Sequence, residues 1–280
     1  VYFFLTFITM FTIQAAVTIV TAGLAAELFG VYFAMTTWAA IIIAACVLML
    51  IIGKYHVLDR VMKVIMLLLS VSTVVAVFMS GRYASYSLDL SQSVPSTTVG
   101  LLFLVAFVGW MPAPLDISIW QSLWTLEKKK KDTWITDKEV LFDFNVGYVM
   151  TILLGVCFLA LGAFVMSGSG ESFSNQGGVF ATQLMTLYTR SIGNGAFFVI
   201  AITAFATMFS TTITCLDASP RVMEKICTLL NIKKIASYRF WLILLAFGTL
   251  LILYYFMSEM GGLIKVATIL SFITAPCYAF

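Results

Sequence analysis

Residues 109–122, Gly-Trp-Met-Pro-Ala-Pro-Leu-Asp-Ile-Ser-Ile-Trp-Gln-Ser, place two prolines, a thioether and a carboxylate inside one long apolar run. A proline in a helix has no N–H for the carbonyl four residues back, so Pro112 frees the Val108 carbonyl and Pro114 that of Trp110. In lipid those oxygens need partners, and irregular backbone at membrane depth is tolerated where it lines a polar path. The chemistry this pattern offers is cation coordination. Met111 brings a sulfur, and Val108 and Trp110 bring backbone carbonyls. Pro112, Ala113, Pro114, Asp116 and Ser118 continue the same pathway, since Asp116 follows Pro112 by one helical turn and Ser118 follows Pro114 by one.

The elements that must hold this break are set by composition. The chain is 61% hydrophobic and only 10% charged, whereas a soluble domain carries about a quarter charged residues. Eight apolar windows are long enough to span a bilayer: near 2–28, 31–53, 61–79, 99–124, 140–167, 193–216, 237–257 and 262–280. They are continuous rather than alternating, which excludes a lipid-facing β-barrel. The expected fold class is therefore an all-α polytopic membrane protein forming one transmembrane domain over residues 1–280.

Thirteen of the sixteen Lys and Arg residues fall in loops 54–63, 125–139 and 218–239. The positive-inside rule places those loops in the cytoplasm of a multi-pass protein, with a bacterial inner membrane as the expected location. The alternate stretches, including Ser167 to Gly178, read as Ser- and Gly-rich outer loops. The chain starts and stops inside apolar runs, so it is expected to be a fragment.

Intramembrane carboxylates are costly and tend to face a bundle interior or a water-filled path, which singles out Asp116 and, at the opening of the fifth span, Asp143. For Asp143 the competing reading is a carboxylate stabilised by the dipole of a helix's first turn. Asp217 reads as a helix stop before Ser219-Pro220-Arg221. The hydroxyls of Ser210 to Thr214 read as glue between helices. The cysteines, Cys46, Cys157, Cys215, Cys227 and Cys277, have no metal-binding spacing and read as apolar fillers. His56 reads as a solvated loop residue. No phosphate cradle or nucleophile elbow is present, so the sequence gives no basis for ATP-driven transport or for an enzyme; nucleic acid is not an expected partner.

The Met111-Pro112 pair in a broken helix, the Lys-containing loop leading to the span that carries Asp143, and the Ser-Thr-Thr-Ile-Thr helix at 210–214 resemble the NRAMP divalent-metal transporters. The resemblance covers essentially the whole chain, whose eight spans are similar to the family's third to tenth helices. It implies an inverted five-plus-five helix repeat with the first two core helices upstream of Val1 and the chain cut within its last helix. It also implies that the missing upstream helix supplies half of the metal site. Where the family usually reads Met-Pro-His, this chain has Met111-Pro112-Ala113, and a second histidine of the family falls at Ser118. The family's acidic pair, associated with proton movement, falls at Gln14 and Val17, and a glutamine falls near Ile273 or Thr274. Gln14 and Thr274 therefore mark the expected coupling route.

The function these features imply is secondary transport of a divalent metal such as Mn²⁺ or Fe²⁺ by alternating access, with the ion as substrate, no resident cofactor, and a proton or another ion as the coupling partner. A thioether suits such ions better than Mg²⁺ or Ca²⁺. The alternatives are a Mg²⁺-type or uncoupled metal transporter, or an amino-acid or organic-cation carrier of the same fold. In the latter, Trp110 and Trp120 would form walls and Asp116 would hold an ammonium group. A homologue that binds without cycling is a third reading.

Overall fold

The computed structural model describes the backbone except at residues 1, 32, 53–54, 84–94, 112, 115, 132–135, 167–172, 175, 194, 196, 233–234, 257–259 and 280. Side chains at 55–65, 82–83, 130–131, 166, 177, 260 and 277–279 also lie outside the described set, and with them His56 and Cys277.

The described residues form helices α1 (Tyr2–Phe29), α2 (Met35–Ile52), α3 (Tyr55–Tyr83), α4 (Thr98–Trp110), α5 (Asp116–Lys131), α6 (Asp137–Met166), α7 (Gly177–Ile192), α8 (Phe197–Leu229), α9 (Tyr238–Phe256) and α10 (Met260–Ala279), with no strand among them. Five of these, α1, α2, α6, α8 and α9, are long and apolar enough to cross a membrane, with window hydropathies of 1.8 to 2.5. Shorter apolar helices at Met66–Gly81, Thr98–Trp110 and Gly261–Pro276 fill the remaining expected windows. The chain is an all-α polytopic membrane protein.

As the two prolines require, the fourth window is two helices, α4 and α5, because neither Pro112 nor Pro114 can donate to the turn before it. Three elements differ from the sequence expectation. The Lys128 to Lys131 run is the last turn of α5 rather than a loop, where cations meet the negative end of the helix dipole. The stretch after Ser167 was expected to be loop throughout, yet Gly177–Ile192 is helix α7. Its buried Ala181, Met185 and Tyr188 recur at helical spacing while its other face carries Thr182, Gln183 and Arg190.

The third difference is α8, which runs through Asp217 and Pro220 to Leu229, so Asp217 does not end a helix. It stops at Asn231, whose φ of 58° is left-handed. There Ile232 N–H donates to the Cys227 carbonyl at 2.9 Å and Asn231 N–H to Thr228 at 3.1 Å, the paired bonds of a Schellman cap. Asp143 likewise lies more than a turn into α6, which starts at Asp137. That start is a capping box: Thr136 N–H donates to Glu139 Oε2 at 2.9 Å and Glu139 N–H returns to Thr136 Oγ1 at 3.3 Å. The first-turn dipole stabilisation expected for Asp143 falls to Asp137 and Glu139 instead.

α1 is the central helix and packs on α2, α7, α8, α9 and α10. Lipid is as apolar as leucine, so helices associate through close packing and interhelical hydrogen bonds, both of which favour small residues. Ala15, Ala16, Ala22, Ala25 and Ala26 of α1 and Ala201, Ala204 and Ala218 of α8 are all buried. Between the same helices the Thr21 and Thr212 hydroxyls meet at 2.8 Å, and Gln14 Nε2 donates to the Thr212 carbonyl at 3.3 Å. The Ser210 to Thr214 segment thus supplies interhelical glue. Cys46, Cys215 and Cys227 are buried and unbridged, as fillers should be.

Candidate functional site

The break is built from its two flanks. α4 closes at Met111, whose extended backbone (φ −106°, ψ 127°) leaves the helix and whose N–H makes the last helical bond, to Phe107 O at 2.9 Å. α5 starts at Asp116, and the turn into it is marked by Ile117 N–H donating to Pro114 O at 3.1 Å. Pro112 lies outside the described residues, while Ala113 and Pro114 are half-buried.

The two flanks have different main partners but share one cluster. α4 lies against α10 so closely that a Cβ on Gly109 would stand 2.1 Å from the Thr268 carbonyl oxygen. α5 instead inserts Trp120 into a cluster with Ile13 and Val17 of α1, Cys215, Ala218 and Val222 of α8 and Ala267 of α10, against which Trp110 also packs. α4 and α5 thus rest mainly on different helices, while Trp110 and Trp120 meet the same cluster.

At the break, the Met111 side chain reaches α6, where its Cε would lie 2.5 Å from a Cβ placed on Gly155. Val108 is exposed. Trp110 is half-buried, and its Nε1 is enclosed with no hydrogen-bond partner among the described residues. Asp116 is 6% exposed and sits in the first turn of α5, where the helix dipole favours its charge. Ser118 is exposed, so the structure does not bring it onto one buried surface with Asp116, and Asp143 is exposed on α6. Gln14 is fully buried and its Oε1 has no hydrogen-bond partner among the described residues; Thr274 is buried and donates to the Ser271 carbonyl at 3.2 Å. Among the described residues no three His, Cys, Asp or Glu side chains converge as a metal cage. The candidate donors remain the Met111 thioether and the carbonyls of Val108 and Trp110, whose ordinary helical donors would be prolines.

Sequence reasoning missed a second constellation at the Lys- and Arg-rich end of α8. Asp217 accepts from Arg221 Nε at 2.8 Å, from Tyr238 Oη of α9 at 2.8 Å and from Trp124 Nε1 of α5 at 3.3 Å. Arg221 also stacks over the Tyr238 ring at 5.1 Å, and Glu224 caps α9 by accepting from Tyr238 N–H at 3.2 Å. The Asp217/Arg221 spacing of four residues was the available signal, hidden by the reading of Pro220 as a terminator.

The model of the natural resistance-associated macrophage protein-like family, Nramp, matches residues 1–280. The chain is also 34% identical over 273 residues to an uncharacterised protein of Pasteurella multocida (strain Pm70), PM0681, an alignment covering 95% of this chain and 63% of that protein. No solved structure gives a significant match. The chain spans rather less than two thirds of the length of its curated relative, and over all the residues it does contain, it belongs to the Nramp family.

Proposed function

We propose that this chain is the greater part of a secondary transporter that carries a divalent metal ion across a membrane by alternating access. The reading is carried by the break between α4 and α5, where α4 closes at Met111 and prolines stand at 112 and 114, so that the Val108 and Trp110 carbonyls lack their ordinary helical donors. Membership of the Nramp family supports it. The ion is substrate, and no resident cofactor takes part.

In this reading Met111 supplies a soft contact that favours Mn²⁺ or Fe²⁺ over Mg²⁺, and the Val108 and Trp110 carbonyls replace waters of hydration. The remaining charge comes from the other, inverted repeat of the fold. α4 packs mainly on α10 and α5 mainly on α8, so movement of one half-helix relative to the other would open the path to one side at a time. The basic loops face the cytoplasm. Gln14, where the resemblance places a titrating acid, is an amide, so a proton on that route is not part of the proposal.

A second reading draws on Asp116, a buried carboxylate one turn before Trp120: an organic cation could be held by that charge between aromatic walls. Mn²⁺ uptake into sealed proteoliposomes by the full-length protein, wild type against Met111→Ala, separates the two. Uptake that loses its preference for Mn²⁺ over Mg²⁺ in the variant supports the metal reading. Folded wild-type protein that takes up no Mn²⁺, or whose uptake is competed by organic ammonium ions, removes it.

A further inference from the structure

α6 contains three interior glycines, Gly147, Gly155 and Gly162. Each weakens the helix relative to alanine, because glycine loses more backbone freedom on folding. A Cβ on Gly147 or Gly162 would meet nothing within 4 Å, but on Gly155 it would stand 2.5 Å from Met111 Cε and 3.6 Å from Met111 Sδ. Gly155 alone of the three leaves a space that another helix fills, and what fills it is the end of the side chain that carries the sulfur.

We propose that Gly155 is a specificity-determining position: the space left by its missing Cβ seats the Met111 methyl group, and that seat fixes where the thioether sulfur meets a divalent cation. The inference rests on Met111 being a ligand, as argued above. Methionine has three rotatable bonds, so a Cβ at 155 would push the methyl aside rather than separate the helices. Opening a contact of 2.5 Å to an ordinary carbon–carbon distance moves the methyl by about 1 Å. A ligand has to be held within about 0.5 Å of its productive position. Alanine at 155 therefore leaves the fold intact and misplaces the sulfur, whereas the Val108 and Trp110 carbonyls stay where α4 holds them. Binding of oxygen-seeking ions should survive, and the advantage of sulfur-seeking ions should fall.

The test is Mn²⁺ uptake by the full-length protein in sealed proteoliposomes, competed separately with Cd²⁺ and Mg²⁺, for wild type, Gly155→Ala, Gly147→Ala, Met111→Ala and the Met111→Ala/Gly155→Ala pair. The expected result is a fall of about tenfold in the preference for Cd²⁺ over Mg²⁺ in Gly155→Ala, matching Met111→Ala. Gly147→Ala should keep the wild-type preference, and the pair should be no worse than Met111→Ala alone. A wild-type preference in Gly155→Ala alongside a loss in Met111→Ala overturns the seat and leaves the ligand assignment standing. A wild-type preference in Met111→Ala overturns the ligand assignment, and the seat with it. If Gly155→Ala does not fold, recovery of folding in the pair supports the contact, and failure of the pair to fold refutes it.

Discussion

Replacing Asp217 with alanine should loosen the end of the molecule where α5, α8 and α9 meet. The carboxylate accepts from Arg221 and Tyr238 at 2.8 Å each, and from Trp124 at 3.3 Å. A hydrogen bond to a charged group contributes about 1.5–3 kcal/mol, and the tryptophan contact, long for an N–H bond, rather less. The gross loss is about 4 kcal/mol. The Arg221 side chain is 36% exposed, so water recovers part of its share, and the net cost should be about 2–3 kcal/mol. At about 2–4 °C per kcal/mol, the melting temperature of the detergent-solubilised protein, read by loss of the monodisperse peak, should fall by roughly 5–10 °C. Asp217→Asn should lose about half as much, since its carbonyl still accepts from Tyr238. Tyr238→Phe should lose about 1 kcal/mol, and combining it with Asp217→Ala should add less than the sum. Melting of Asp217→Ala within a degree of wild type, or strict additivity with Tyr238→Phe, would refute the three-helix junction.

Two further substitutions test the packing around the break. Gly109→Ala drives a Cβ to 2.1 Å from the Thr268 carbonyl, a backbone atom that cannot swing away; it should cost about 1–3 kcal/mol. Gly147→Ala, whose Cβ meets no described atom within 4 Å, should leave the protein at least as stable as wild type in the same melting assay, and equal behaviour of the two would disprove the close approach of α4 to α10. Gln14→Leu removes donors to Thr18 and to the Thr212 carbonyl but should cost only about 0.6 kcal/mol, the usual scale within membranes. An amide does not titrate, so the pH profile of uptake should stay as in wild type; a displaced profile would put Gln14 on a proton path.

The spans were legible because a helix crossing lipid needs about twenty apolar residues in a row, a pattern that survives without knowledge of neighbours. The break was legible for a similarly local reason, since Pro112 and Pro114 forbid helical bonds whatever surrounds them. α7 was not, because its apolar stripe, Ala181, Met185 and Tyr188, is thinned by threonines and by Arg190. Asp217 was misread because its partners Trp124 and Tyr238 lie 93 and 21 residues away. Gly109 and Gly155 illustrate the same limit. A glycine that admits a carbonyl from α10 and one that admits a methionine from α4 look alike in sequence, and only packing tells them apart.

The length of α8 has a mechanical consequence. Its 33 residues measure about 50 Å along the axis, whereas the hydrocarbon layer is about 30 Å thick. Some 20 Å of helix then extends beyond the hydrocarbon into water or headgroups, stopped by the Asn231 cap and ending near the 75% exposed Leu229. A rod of that length is a lever: a tilt of ten degrees about its far end carries the tip about 9 Å. A spectroscopic label at Leu229 would therefore read small rotations within the bilayer as large displacements outside it.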